Sequence, residues 1–413
     1  MKKLSFFHTP LKILGAIKKM KESLFNYRFE YENQKYIFNT NNNGLIQINN
    51  DIFTEEEREY LRVNRFWVDD NEDEIALLER EINHNIQKRQ KELELTIALT
   101  NYCNFSCVYC YQNKNEKLMT TEVANMIIEK IDRILNDNIF EGINIHYFGG
   151  EPLLNIPVLI YLDENIKKIT DKIGIVYKAF LTTNGSMLSK ELLQKVKFSS
   201  IQLTFDGLEK THDRLRVSDH FHFKEEIELI ENIMNFSQAK VLLRTNICKE
   251  NKDEIIALHK YIFEKFGNER IEINPNRTIK YHQDDSFEML SVQEYAEVAY
   301  QIKLLWSEQK GKFELPVPRS TPCKFPYGNA YAISPEGYCT FCSGSMDQEK
   351  KYFFDVDIEN KKMFSVRKEC KKCNILPLCL GGCIIQYNLR AGACTYEKYE
   401  LKNILISYIK HIS

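Results

Sequence analysis

Three cysteines in the run CNFSCVYC carry the most specific chemistry in this 413-residue chain. Cys103, Cys107 and Cys110 are spaced C-x3-C-x2-C and follow directly on the strand-like run 95–100. Iron–sulfur clusters are normally held by four thiolates. Three thiolates on one short loop leave one iron of a cubane without a protein ligand. Such an open metal position can take a small molecule that chelates through an amine and a carboxylate. Tyr109, just before the last cysteine, makes the motif more specific. A zinc knuckle would pair C-x2-C with a second such pair or with histidines, and neither stands close by. A secreted disulfide scaffold would be far denser in cysteine than 12 in 413 residues.

Downstream, Gly149-Gly150-Glu151-Pro152 closes the apolar run 143–148. Two glycines let backbone approach a ligand closely, and a carboxylate accepts hydrogen bonds from an ammonium. The cysteine loop and GGEP together resemble the motifs of radical SAM enzymes. The resemblance implies a [4Fe-4S] cluster on the three cysteines, with S-adenosylmethionine on its open iron. Gly149, Gly150, Glu151 and Pro152 then match the motif for the methionine amine. Thr182-Thr183-Asn184-Gly185 ends the next strand, where Asn184 offers an amide to ribose or backbone; the plain alternative is an Asn-Gly turn. The stretch TFDG…HDRLR is similar to S-x-D-G…HD-x-x-R of sulfatase maturases and their peptide-modifying relatives. By that likeness Thr204 lies near the methionine carboxylate and Arg216 is a further candidate. His212 and Asp213 read as helix capping and local ion pairs. Arg244 shares a strand face with Asn246, and is suited either to bidentate carboxylate binding or to an ion pair inside the fold.

A second set of cysteines, Cys370, Cys373, Cys379 and Cys383, reads C-x2-C-x5-C-x3-C and is followed by Cys394; Cys323, Cys339 and Cys342 stand upstream. This order resembles the SPASM domain, an extension that holds auxiliary iron–sulfur clusters. A zinc ribbon is the bland reading. The family's pairing implies one auxiliary cluster on Cys370, Cys373, Cys379 and Cys394, and another on Cys323, Cys342 and Cys383. Either Cys339 completes the latter or one of its irons stays open. Cys248 fits neither set and reads as a buried apolar thiol.

These residues need rigid elements to hold them. Runs 143–148, 176–181, 201–205, 240–247 and 271–274 are strand candidates after 95–100. Helical patterns such as Val123, Met126, Ile127, Ile131 and Ile134 lie between them. Alternation of this kind predicts an α/β fold with a parallel sheet. About six strands are too few for an eight-unit barrel, and the resemblance implies the family's partial (β/α)6 barrel. Active sites gather at the C-terminal strand ends in such folds, and the motifs fall there. Extended segments 25–31, 35–38 and 44–48, then a charged helical stretch from Thr54 to about Glu94, predict a small α+β module. The expected domains are 1–92, 93–310 and 311–413. The first is expected either to recognise a substrate peptide's leader or to cap the catalytic domain.

Composition sets the outer bounds. The apolar fraction is 43%, the charged fraction 28% and the net charge −2, which gives no global electrostatic case for nucleic acid. No apolar run reaches the roughly 18–20 residues of a transmembrane helix, and Pro10, Lys12 and Lys18 break any signal-peptide core. The protein reads as cytoplasmic, with its thiols reduced. Residues 11–20 follow helical spacing behind Thr9 and Pro10, as a lysine-fringed surface helix.

The resemblance implies that S-adenosylmethionine is cleaved reductively to a 5′-deoxyadenosyl radical that abstracts hydrogen from the substrate. A reductant such as flavodoxin or ferredoxin would supply electrons. The leading expectation is a maturase of a ribosomal precursor peptide, forming a thioether, C–C or C–O cross-link or an epimer. The N-terminal extension and the SPASM pattern favour it. The alternative is an anaerobic sulfatase maturase forming formylglycine. The HDRLR stretch favours that; Ser343, where those enzymes carry an acidic base, speaks against it, because serine lacks a suitable pKa. A non-catalytic electron carrier would not need GGEP.

Overall fold

The computed structural model describes residues 19–48, 53–112, 115–137, 140–267, 270–280, 286–340, 342–345, 351–356, 363–383 and 394–412. The expected helix at 11–20 lies almost wholly outside them. The chain forms two compact units: Met1–His84 with Ala299–Pro322 and Phe364–Ser413, and Asn85–Val298 with Cys323–Met363.

In the first unit, β1 (Met20–Glu22) pairs antiparallel with β5 (Trp67–Asp69). β2 (Asn26–Tyr31), β3 (Gln34–Asn39) and β4 (Gly44–Ile48) form an antiparallel meander. The expected long helical stretch is broken into helices Glu55–Val63 and Glu74–Arg89. Thr54 and Glu57 close a capping box on the first. It stops because Arg65 turns left-handed (φ 57°) and Phe66 is buried at 1% exposure, taking the chain into β5. Phe29, Tyr36 and Phe38 pack against Ile375, Leu378, Leu401, Leu405 and Ile409. Asn374 donates to the Asn26 carbonyl at 3.2 Å. The N-terminal meander therefore shares one core with the segment that carries Cys373 and Cys379. Phe38→Ala should cost about 3–5 kcal/mol. Calorimetry should show the lower Tm, and iron analysis should show less metal retained, because Ile375 and Leu378 flank those cysteines.

The second unit is built on β6 (Glu92–Ala98), β7 (Gly142–Phe148), β8 (Val176–Thr182), β9 (Phe198–Thr204), β10 (Lys240–Ile247) and β11 (Ile271–Arg277). All six run parallel, in sequence order across the sheet. Their alternate residues build the core: Leu93, Leu95 and Ile97 are at most 1% exposed, as are Ile143, Ile145 and Tyr147. Helix Thr121–Asp137 buries Ala124, Ile127, Ile131 and Ile134, one helical stripe. This is the expected α/β fold with a parallel sheet.

The sheet does not end at β6. β12 (Ala330–Ile333) runs parallel beside it, followed antiparallel by β13 (Tyr338–Thr340) and β14 (Lys351–Tyr352). Residues 323–363 thus belong with the barrel strands, whereas the sequence reading grouped them with 364–413. Lys324 bridges to Glu94 at 2.7 Å. Among the described residues no helix is long and apolar enough to cross a membrane.

Candidate active site

The cysteine loop leaves the C-terminal end of β6, and its own backbone anchors it. Ser106 N–H donates to Val217 O at 2.7 Å and Val108 N–H to Leu215 O at 3.0 Å. This pairing sets Cys107 across from Arg216. Cys110 N–H closes a turn onto Cys107 O at 3.1 Å. Val108 and Tyr109 pack on a buried patch of Leu215, Cys248 and Phe287. Cys248 is fully buried there, as its isolation in the sequence suggested. The Tyr109 hydroxyl donates to the Asp206 carboxylate. The other oxygen of Asp206 accepts from Asn246 N–H at 2.7 Å. Asp206 is the aspartate of the TFDG stretch, but its bond to Tyr109 has no local sequence signal.

The two glycines of GGEP meet this loop. Gly150 N–H donates to Thr100 O and Glu151 N–H to Tyr102 O, both at 2.8 Å. A Cβ on Gly149 would stand 2.4 Å from Thr100 O, and one on Gly150 would stand 2.1 Å from Tyr102 O. Gly149 also has φ 141°, which L side chains rarely adopt. The close approach these glycines permit here is to the entry of the cysteine loop.

Glu151 is fully buried and joins the ends of β7 and β8. Its carboxylate accepts from Leu153 N–H at 3.0 Å, Thr183 Oγ1 at 2.6 Å and Asn184 N–H at 2.6 Å. Burial raises its pKa, opposed by these bonds. Three of the roughly four acceptor positions of a carboxylate are thus taken inside the protein, where the sequence suggested an ammonium partner. Asn184 in turn donates to Asn104 Oδ1 at 2.8 Å and reaches Cys103 Sγ at 3.8 Å. Phe105 N–H points at the same sulfur at 3.4 Å. Pro152 is buried and opens a short 3-10 turn.

Thr204 ends β9 at 8% exposure. Arg244 donates to Asn246 Oδ1 at 2.8 Å and has no carboxylate partner among the described residues. Below, His146 bonds Thr182 Oγ1 at 2.7 Å, and burial pushes its pKa down to about 4. Glu94, Asn144, His146, Gln202 and Lys324 line a cavity of about 210 Å³.

The loop suits an iron–sulfur cluster. Burial pushes the Cys107 thiol up to about 12, so a thiolate there needs compensating positive charge, which metal supplies. N–H groups already aim at Cys103 Sγ. Among the described residues no three His, Cys, Asp or Glu side chains gather around a single ion; a multi-iron cluster spreads its ligands more widely.

In the first unit, Cys370, Cys373, Cys379, Cys383 and Cys394 all line one cavity of about 580 Å³. Leu380, Gly381 and Gly382 are left-handed in succession, which turns the chain back after Cys379. Arg367 donates to the Gly381 carbonyl. In the second unit Gly344 N–H donates to Cys342 Sγ at 3.3 Å, Cys323 is exposed, and Cys339 is 3% exposed within β13.

Residues 97–262 match the model of the radical SAM superfamily. The chain carries a radical SAM domain. That superfamily is one of enzymes, and it implies S-adenosylmethionine and a [4Fe-4S] cluster for the matched domain. Radical SAM cyclopropyl synthase TigE of Paramaledivibacter caminithermalis is 24% identical over 372 residues, 79% of this chain and 76% of that protein. MJ0907 of Methanocaldococcus jannaschii is 34% identical over 119 residues, 28% of this chain; the match spans only 39% of MJ0907. Among solved structures, anSMEcpe with bound AdoMet and Cp18Cys peptide aligns with TM-score 0.59 and 19% identity, covering 78% of this chain and 98% of that one. Streptococcus suis SuiB bound to precursor peptide SuiA aligns with TM-score 0.54 and 15% identity, covering 90% and 97%. At these identities the two structures establish the fold alone.

Proposed function

We propose that this radical SAM enzyme modifies a residue of a ribosomally made precursor peptide, by cross-linking or epimerisation. The observation that carries this reading is the convergence of five cysteines on one cavity, a lining suited to an auxiliary cluster. Solved structures of this fold with bound peptides support a peptide substrate. Cys103, Cys107 and Cys110 would hold the core cluster. Cys370, Cys373, Cys379 and Cys394 would hold one auxiliary cluster. A cluster held on Cys103, Cys107 and Cys110 would supply the electron for reductive cleavage of S-adenosylmethionine, and so the radical chemistry that removes a substrate hydrogen.

The chain's own residues position and exclude. Gly149 and Gly150 would bring their strand end against the cluster loop. Glu151 would fix Thr183 and Asn184 beside Cys103, while Thr204 and Arg244 would face the methionine carboxylate. Residues 1–92 would hold the peptide's leader, with β4 offering a sheet edge for strand addition.

The alternative is a sulfatase maturase, favoured by an alignment that takes in nearly all of anSMEcpe. One experiment separates them. The reconstituted protein is incubated in heavy water with reductant, S-adenosylmethionine and the short peptide encoded beside its gene, and the peptide is weighed. Loss of two hydrogens is the expected result, and one deuterium gained without oxidation would assign epimerisation. An unchanged peptide beside released 5′-deoxyadenosine, with oxidation of a sulfatase-derived peptide, would overturn the leading reading in favour of the alternative.

A further inference from the structure

Arg216 is 6% exposed, and its Nε and Nη2 have no hydrogen-bond partner among the described residues. Its guanidinium lies 5.3 Å from the Phe105 ring centroid. The backbone bonds on either side, Leu215 O to Val108 and Val217 O to Ser106, hold it opposite Cys107. Glu226, with no exposed surface, places Oε2 3.9 Å from Arg216 Nε and 3.1 Å from His212 Nε2. Neither Glu226 oxygen has a hydrogen bond among the described residues. His212 is 1% exposed and packed between the Phe205 and Phe223 rings.

A buried guanidinium with open donors is costly unless a negative group faces it. Glu226 answers part of that charge, at a distance too long for a hydrogen bond. The other acidic neighbours are Asp206, whose oxygens already accept from Tyr109 and Asn246, and Glu151, whose carboxylate already accepts from Leu153, Thr183 and Asn184; the Cys107 thiol is the remaining neighbour. Arg216 and Glu226 thus form a dipole whose positive end meets the cysteine loop. A four-iron cluster on three thiolates is anionic, and reduction adds one more negative charge. A fixed cation beside it stabilises the reduced form more than the oxidised form. Charge and hydrogen bonding around the ligands are the protein's means of setting cluster potential.

We propose that Arg216, fixed by Glu226 and His212, is the buried counter-cation of the core cluster, a positioning residue that raises its reduction potential to within reach of a one-electron donor. This rests on Cys103, Cys107 and Cys110 holding that cluster. Glu226 has no motif of its own; in sequence it is one acid among several on a helix.

The test is a potentiometric titration of the reconstituted full chain, followed by electron paramagnetic resonance. The signal that responds to S-adenosylmethionine identifies the core cluster. In R216M the midpoint should move to more negative potential. In E226Q it should move the opposite way, and R216K should stay near the native value. Iron per chain and the Kd for S-adenosylmethionine are measured alongside. A native midpoint in R216M with full iron overturns the proposal; if the Kd alone weakens, Arg216 is a cofactor ligand instead. Should R216M lose iron, E226Q decides, and an unmoved midpoint there overturns it too. Failure of the underlying reading looks different: C107A would keep the responsive signal.

Discussion

Gly150→Ala should abolish S-adenosylmethionine cleavage as completely as Cys107→Ala does, without touching a thiol. The added methyl would sit 2.1 Å from Tyr102 O and 2.5 Å from Tyr102 C, far inside van der Waals contact. Both obstacles are backbone, so no rotamer change relieves them. The residues that must yield are 101 and 102, immediately before Cys103. Moving them also breaks the 2.8 Å bonds from Gly150 and Glu151 that hold the loop to the end of β7. The variant should fold, because the clash lies at the strand ends and not in the core, yet retain less core-cluster iron. Released 5′-deoxyadenosine under strong reductant measures the loss. Near-native release would show that the loop tolerates displacement and that GGEP matters for some other reason.

How much of this was legible depended on the range of the signal. β10 runs over 240–247, as its apolar alternation predicts, and the other barrel strands match within a few residues. The break after Val63 was not legible, because it depends on Phe66 finding a core and on β5 pairing with β1, a strand of three residues. β12 was missed as well. Ala330–Ile333 is a short apolar run before a Ser-Pro-Glu-Gly turn; beyond that turn it pairs with three-residue β13, and its longer pairing is with β6, more than two hundred residues away. The same rule governs the site. Cys103, Cys107, Cys110 and GGEP announce themselves by local spacing. Asp206 as the partner of Tyr109, and Glu226 as the partner of His212 and Arg216, are tertiary facts without local pattern. Glu151 was legible as a site residue, but its surroundings were not: in sequence it offers a free carboxylate, and in the fold three donors occupy it.

Those three donors give the second large effect. Glu151→Gln keeps one acceptor for Leu153 and Thr183 but turns an NH2 group toward the Asn184 N–H. Two donors then face each other at a fully buried side chain, at a cost of about 1–3 kcal/mol. Asn184 is the residue released, and with it the contacts to Asn104 and Cys103. Affinity for S-adenosylmethionine should fall about tenfold for each 1.4 kcal/mol, read by equilibrium binding, and Tm should fall with it. The pH dependence carries a definite sign. Burial holds the native Glu151 pKa above its ordinary value, so the folded state binds this proton more tightly than the unfolded state. The stability this adds is full at acid pH and is lost as pH rises from the ordinary carboxylate range through the raised native value. Glutamine does not titrate. The Tm gap between wild type and variant should therefore be widest at acid pH and narrow as pH rises. A gap that widens with pH would mean that the native carboxylate is stabilised in its charged form, and that Arg216 and the three hydrogen bonds outweigh its burial.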